Sequence, residues 1–412
     1  MSTSYPFVSE QKLSDKLVSG SFLGNFKTAF KKITLRKCLL KLHLYISLWL
    51  GTLLVIAGVT GSLLVYEHTL DKWLNPEMMR VAVGERWLPI ADLVAIANRV
   101  SPIPEPPSHL QMPEDPSEAL IVRYQAAAMP GHKGHNHHFH EVMVNQYTGQ
   151  VLGDRDRNDA LMTFILRLHF SLLAGDFGKL VMGITSLLTL VLTVTGIYLW
   201  WPKLGKIKQA FLIKRNASAT RFNFDLHKTT GIYTAIVMLA VAFSGVYFNL
   251  PQFFKPAVNF FSPLEDMPRG IKSTANGGTV IQPEIVKANI QAAYPGIQIQ
   301  RIFLPVGENG SYMVSARQSD ELRSKGSTSF WVDQYDGAIL AVRDPKKFNA
   351  GNAFINLQLP LHNGEILGTP GRIAVLVAGF APLVMMVTGL IHWLKKRKAN
   401  RARRAGLKAA AI

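Results

Sequence analysis

Four long apolar runs constrain this chain more than any other feature. They cover roughly residues 44–66, 180–201, 232–250 and 373–393, and none contains an Asp, Glu, Lys or Arg. Each is close to the ~20 residues that a helix needs to cross a bilayer. Hydrocarbon cannot solvate charge, so lipid-facing helices must lack it. Core helices of a large soluble protein are also apolar. Four uncharged runs of spanning length in 412 residues, 48% of them hydrophobic, instead predict a membrane protein in contact with the lipid bilayer.

The formal net charge of +18 raises the question of nucleic acid, and its distribution answers it. Basic residues gather in three places. Lys27, Lys31, Lys32, Arg36, Lys37 and Lys41 precede the first run; Lys203, Lys206, Lys208, Lys214, Arg215, Arg221 and Lys228 separate the second from the third; the last group fills 395–408. The two long connections are mixed in charge. This is the positive-inside pattern. It predicts a multi-pass protein of the bacterial inner membrane, with both termini and the short loop cytoplasmic and two domains periplasmic. No nucleic-acid partner is expected. The first run begins after forty residues, too late for the apolar core of a cleavable signal, so it is expected to remain as an anchor. Cys38 is the sole cysteine, which excludes a disulfide within the chain, a thiolate zinc site and covalent c-type haem attachment.

The chain therefore divides into a basic cytoplasmic segment 1–42, a first span 43–67, a periplasmic domain 68–168, and a second span with its preceding histidine segment 169–202. A basic cytoplasmic loop 203–228, a third span 229–250, a second periplasmic domain 251–361, a fourth span with its histidine segment 362–394 and a basic tail 395–412 follow. Each outer domain reads as a small mixed α/β unit. In the first, 90–100 is helix-like, 119–124, 141–146 and 150–152 are strand-like, and the proline-rich 101–116 is loop. In the second, 281–294 is helix-like and 298–304, 311–316, 327–332 and 338–342 are strand-like.

The halves repeat. Eighteen positions separate His43 from Gly61 and also His227 from Gly245; twenty-seven separate His169 from Gly196 and also His362 from Gly389. Thr60, Thr195, Ser244 and Thr388 directly precede those glycines, and Trp200 matches Trp393. The fold class expected is an α-helical membrane protein with four transmembrane helices in two parallel repeats, each carrying a periplasmic α/β domain. Small residues let membrane helices approach closely, and that packing role covers most of the Thr/Ser–Gly pairs. Met182, Met238, Met385 and Met386 are read as packing, and the tryptophans at run ends as interfacial.

Six of the twelve histidines lie at or near helix ends. His43 and His227 match on the inner side, His169 and His362 on the outer. His68 falls opposite Gln252 and His392 opposite Leu199, so these two are singletons and alternates. Two matched pairs at opposite ends of a four-helix bundle are what two bis-histidine haems require, since each iron takes two axial nitrogens from facing helices. The cofactors expected are two non-covalent b-type haems on His43, His169, His227 and His362. Eighteen residues at ~1.5 Å rise span roughly 27 Å, which sets the two sites near opposite membrane faces.

A second histidine group, GHKGHNHHFH at 131–140, places His132, His135, His137, His138 and His140 in the first outer domain. Such tracts bind transition metals weakly. No acidic cage is evident beside it, and a solvated loop is the simpler reading.

The segments LHLYISLWLG (42–51) with GVTGSLL (58–64), LHFSLLAG (168–175) with TGIYLWWP (195–202), LHKTTG (226–231) and LHNGEILG (361–368) together resemble the PepSY-associated transmembrane family. VNQYTGQV (144–151) and VDQYDGAI (332–339) resemble the strand–turn–strand endings of PepSY domains. The likeness runs from about 37 to 397. It implies an inner-membrane reductase of the ferric-siderophore type, an oxidoreductase of iron acquisition with two b-type haems whose ligands, carried over by position, are His43, His169, His227 and His362. The histidine-rich insert departs from that pattern and leaves the substrate open.

The reaction expected is electron transfer from quinol or a cytoplasmic flavoprotein at the inner face to a ferric siderophore at the outer face, with release of Fe(II). No flavin module, G-x-S-x-G, H-E-x-x-H or phosphate loop is present in the sequence. Two alternatives stand beside this: the same haem scaffold with a copper, sulfur or quinone endpoint, and a haem-free PepSY binding or sensor protein. Transport is weaker, because the runs show no charged pathway and no obvious break.

Overall fold

The structure, a computed structural model, describes residues 34–125, 138–275 and 277–409. Its principal helices are α1 (Leu35–Leu64), α2 (Glu67–Leu74), α3 (Ile90–Val100), α4 (Leu161–Ser171), α5 (Gly175–Trp200), α6 (Ala219–Asn249), α7 (Pro251–Phe261), α8 (Pro283–Ala293), α9 (Ala350–Asn363), α10 (Gly368–Gly379) and α11 (Ala381–Ala409). Four spans are long and apolar enough to cross a membrane: α1, α5, α6 and the stretch Glu365–Leu407 that holds α10 and α11. The apolar runs form helix because only internal i to i−4 bonding satisfies the backbone away from water. The helices extend past the runs at the basic end, where charged side chains on the terminal turns reach solvent.

These spans close into a ring. α1 packs on α5 and α11, and α6 packs on the same two. Close approach depends on small residues. A Cβ on Gly58 would meet the Gly379 carbonyl oxygen at 2.1 Å, and Ser62 Oγ donates to the Leu376 carbonyl at 2.8 Å. The fourth span, expected to be unbroken, is interrupted at Phe380. Pro382 has no N–H to give the preceding turn, and the Phe380 N–H turns back to the Val377 carbonyl at 3.2 Å. Interior helix faces are buried, while Ile236, Val194 and Val377 stay exposed on the outside of the ring, as lipid contact requires.

At one end sits an antiparallel sheet of eight strands. They are β1 (His109–Gln111), β2 (Leu120–Gln125), β3 (Phe139–Val144), β4 (Val151–Asp156), β5 (Gln298–Phe303), β6 (Ser311–Arg317), β7 (Thr328–Asp333) and β8 (Ile339–Arg343), in the order β4-β3-β2-β1-β5-β6-β7-β8. The sequence reading has two α/β units here. The structure joins them edge to edge through β1 and β5, where Leu110 faces Ile302. β1 lies inside the stretch read as loop. Its prolines suppress a strand reading, yet three residues suffice to pair on both sides, with Leu110 fully buried.

Alternation along the strands sorts the two faces. Leu110, Leu120, Val122, Tyr124, Val142, Ile302, Val314 and Phe330 form one core with Leu93 and Ala97 of α3 and Val286 and Ile290 of α8. The opposite face turns toward the helix ends and carries charge. Glu141, fully buried there, accepts from Arg123, from Arg155 Nε at 2.9 Å and from Arg157 Nη1 at 2.9 Å. Arg155 also clamps Asp71 of α2 with both terminal nitrogens, at 2.9 and 2.7 Å, and so ties the sheet to the segment that follows α1. Burial alone would raise the Glu141 carboxyl; Arg123, Arg157 and Arg155 overcome it and hold the group at about 2.

Two expectations follow. Leu110→Ala should destabilise the sheet by about 2–5 kcal/mol, read as a lower melting temperature in detergent, whereas Trp49→Ala, on a side chain 86% exposed, should leave it unchanged. Because the folded Glu141 value lies below the ordinary 4.5, its stabilisation is complete above that pH and is lost as pH falls toward about 2. Glu141→Gln should be less stable at neutral pH and should flatten the acid limb of a stability profile over that window.

Candidate functional site

His169 and His362 sit in the last turns of α4 and α9, the short helices that lead into α5 and α10. Both connections turn sharply. The first passes through left-handed Leu172 and Leu173, the second through left-handed Gly364. The helices that follow are pressed against these turns, and only glycine fits. A Cβ on Gly178 would lie 1.6 Å from the Ser171 carbonyl oxygen, and one on Gly371 would lie 2.2 Å from that of Gly364. The geometry carries each imidazole across to a neighbouring span, His169 to α1 and His362 to α6. Their ring centres are 6.1 Å apart with planes at 67°.

What each imidazole touches is the same in both halves. His169 Nδ1 lies 3.1 Å from Thr60 Oγ1 and 3.0 Å from the Ala57 carbonyl; His362 Nδ1 lies 2.9 Å from Ser244 Oγ and 3.1 Å from the Val241 carbonyl. At the basic end, His227 Nδ1 lies 3.0 Å from Thr388 Oγ1 and 3.1 Å from the Met385 carbonyl, and His43 Nδ1 lies 3.0 Å from Thr195 Oγ1. Each hydroxyl gives its own proton to a carbonyl one turn back, at 2.6–2.7 Å, so toward the ring it can only accept. Nδ1 must therefore carry the proton, and the lone pair falls on Nε2. Among the described residues no hydrogen bond engages Nε2 of any of the four. This is a tautomer in which histidine can ligate a metal through Nε2, held by the kind of partner that fixes ligand orientation in metal sites.

The glycine after each hydroxyl residue makes room for the ring. Built Cβ atoms would stand 2.9 Å from His169 Cε1 at Gly61, 3.3 Å from His43 Cε1 at Gly196, 3.4 Å from His227 Cε1 at Gly389 and 3.8 Å from His362 Cε1 at Gly245. The Thr/Ser–Gly pairs, read from sequence as helix packing, thus hold the four histidines. The signal was present in their fixed separations from His43, His169, His227 and His362. The partner of each pair lies on another helix, which spacing along one helix does not reveal.

His43 and His227 face one cavity of about 450 Å³ among the four spans, lined chiefly by apolar side chains including Met238, Met385 and Met386. His392 lines it as well, its ring 5.9 Å from that of Phe224. Asn223 Nδ2 donates to the Thr388 carbonyl at 2.8 Å, bracing the residue that holds His227.

Other candidates lie elsewhere. His68 Nε2 is 3.0 Å from Glu118, which also pairs with Lys72, so this imidazole belongs to an ion-pair group beneath the sheet. His132, His135 and His137 fall outside the described residues. His140 Nε2 is 2.9 Å from Asp154, and His138 Nδ1 accepts from Asn158 at 3.1 Å and lies 3.6 Å from Asp156. His138 and His140 thus each have a single carboxylate nearby across the β3–β4 ladder. Among the described residues no group of three or more His, Cys, Asp or Glu side chains is arranged to hold a bare metal ion.

Paired imidazoles are a different donor set, suited to a metal that brings its own equatorial ligands. His169 and His362 come together from separate helices with ring centres 6.1 Å apart, and the cavity at His43 and His227 has the volume of a cofactor site. The residues present fit haem.

The sequence pattern of the family described as the PepSY-associated TM region matches residues 40–396, and the chain belongs to that family. No curated protein matches it.

Gly61→Ala should displace His169, because its Cβ would overlap the ring, and if haem occupies that pair should lower the haem held per chain; Gly389→Ala, whose Cβ would rest at 3.4 Å from His227, should leave that histidine in place and any haem on it unchanged. Thr60→Val, which keeps the shape and removes the hydroxyl acceptor, should weaken the affinity of that pair for added haem by roughly 10-fold or more, if it binds haem.

Proposed function

We propose that this family member is a di-haem b reductase of the bacterial inner membrane that reduces ferric siderophore in the periplasm and releases Fe(II). The observation that carries the reading is the His169–His362 pair: two rings on separate helices, 6.1 Å apart, each with Nδ1 committed to a neighbouring span. A surface-binding or sensor module has no use for such a pair. The matching contacts at His43 and His227, each with a hydroxyl residue and the glycine that follows it, support duplication of one haem-holding unit.

Orientation follows from charge. The basic ends, with Arg36, Lys37 and Lys41 on α1 and Lys395, Lys396 and Arg397 on α11, belong in the cytoplasm, and the sheet in the periplasm. Iron porphyrin bound at both pairs would supply one-electron carriers near the two faces of the membrane. The protein's own part is to fix the imidazole tautomer, keep water from the bundle interior and set the local dielectric. One electron converts each ferric ion to the ferrous state, and a hard oxygen donor set holds Fe(II) less tightly. A quinol oxidised at the inner face supplies two electrons and releases two protons, enough for two ferric ions; a cytoplasmic flavoprotein is the other suitable donor. The chain's described residues need no acid–base machinery for this.

Pyridine-haemochrome quantitation tests cofactor, stoichiometry and ligands together. Wild-type protein should hold two haems per chain. His169→Ala and His362→Ala should each leave one haem, and His43→Ala and His227→Ala the other; His392→Ala and His68→Ala should keep both. Purified protein without reducible b-type haem would end this reading.

A further inference from the structure

Beside the His169–His362 pair, between the sheet and the ends of α6 and α9, lies a second cavity of about 170 Å³. Its lining includes Arg323, Arg343, Asn352, Asn356, Tyr247 and Phe248. The Phe248 ring meets that of His362 edge to face, with centres 5.3 Å apart, so the cavity and the histidine pair share a wall. No acidic side chain lines it. Arg323 gives one hydrogen bond, to Asn356 Oδ1 at 3.2 Å, and its buried Nε has no partner. The Arg343 side chain makes no hydrogen bond or ion pair among the described residues; its guanidinium lies over the Phe348 ring at 4.2 Å. Asn356 Oδ1 is already occupied by Arg323 and Ser327, which leaves its amide nitrogen as a donor.

Two half-buried guanidinium groups facing one cavity repel each other, and neither is neutralised by a carboxylate within ion-pairing distance. Glu365 and Glu321 act on Arg323, and Glu265 on Arg343, only from farther away. Two guanidinium groups on one cavity without a carboxylate partner, one of them with a buried, unpartnered Nε, suit an oxyanion. The guanidinium fork matches a carboxylate with two parallel N–H donors. We propose that Arg323 and Arg343, with Asn356, form a carboxylate-binding site directly outside the His169–His362 pair. The site rests on the reductase reading for its purpose, and its ligand is either a carboxylate arm of an anionic ferric chelate or a propionate of the haem on that pair. The apolar wall of Tyr247 and Phe248 then carries the contact between the bound anion and the redox centre.

The experiment uses full-length protein in nanodiscs and two readouts on wild type, Arg323→Gln, Arg343→Gln, the double variant and Arg323→Lys. Calorimetric titration with gallium citrate, a redox-inert stand-in for ferric citrate, reads acceptor binding. Haem content and a redox titration read the prosthetic group. If the carboxylate belongs to the acceptor, gallium citrate should bind wild type about tenfold or more tightly than the Gln variants, with Arg323→Lys intermediate and haem unchanged. If it belongs to the propionate, citrate binding should not change while the Gln variants lose haem from that pair or shift its potential downward, since removing positive charge disfavours the reduced state. Either result supports the site. Gln variants that match wild type in citrate binding, haem content and potential would overturn it. Citrate binding that depends on these arginines in protein lacking haem would sink the reductase reading and leave the site standing.

Discussion

The bond from an imidazole Nδ1–H to a hydroxyl or carbonyl oxygen on the next helix is the interaction on which the bundle's arrangement depends. It is made at both ends of the ring, and at each place it needs three things at once: a hydroxyl residue bonded back to its own helix, a glycine beside it that leaves space for the ring, and a partner helix close enough to deliver the histidine. The same bonds cross-link the spans of each half, α1 with α4 and α5, α6 with α9 and α11. In hydrocarbon, where apolar contact alone gives little preference among helix pairings, such polar links set the register of one span against another. Structure and candidate site are therefore specified by the same residues.

The sheet is held in place by the ionic group around Glu141. A carboxylate without solvent exposure survives because three guanidinium groups surround it, and one of these, on Arg155, continues to Asp71 beyond the end of α1. That chain of contacts fixes the charged face of the sheet over the helix ends and leaves arginines of β8 and of the β6–β7 connection unmatched above His362. An excess of positive charge at this one place, beside a balanced group at the other, separates a structural use of arginine from a binding one.

Much of this was legible in the sequence. The apolar runs gave the spans, the helix at 90–100 agrees with α3 at both ends, and seven strands fall within a few residues of their expected positions. Period-two patterns record which face of a strand is buried, but carry nothing about a partner strand nearly two hundred residues away, so the union of the two halves through β1 and β5 was invisible. Prolines around residue 109 argued against any strand there. The break at Phe380 hides within a run whose hydropathy is uniform. Fixed offsets exposed the histidine pairs, while the hydroxyl–glycine partners looked like ordinary helix packing because their targets lie on other helices. Arg323 and Arg343 read as solvated charges until the fold closed a cavity over them.

The joint between β1 and β5 also dictates an order of assembly. Two membrane passages, α5 and α6, lie between these strands in the chain, so during insertion the first half of the sheet reaches its compartment before its partner has been synthesised. For that interval β1 is an open edge, with unpaired N–H and C=O groups along one side. Proline at 102, 104, 106, 107, 113 and 116 brackets the three pairing residues, and a strand so short and so flanked offers little purchase to a foreign chain. The prolines that disguise this strand in the sequence thus keep it available until its own mate arrives.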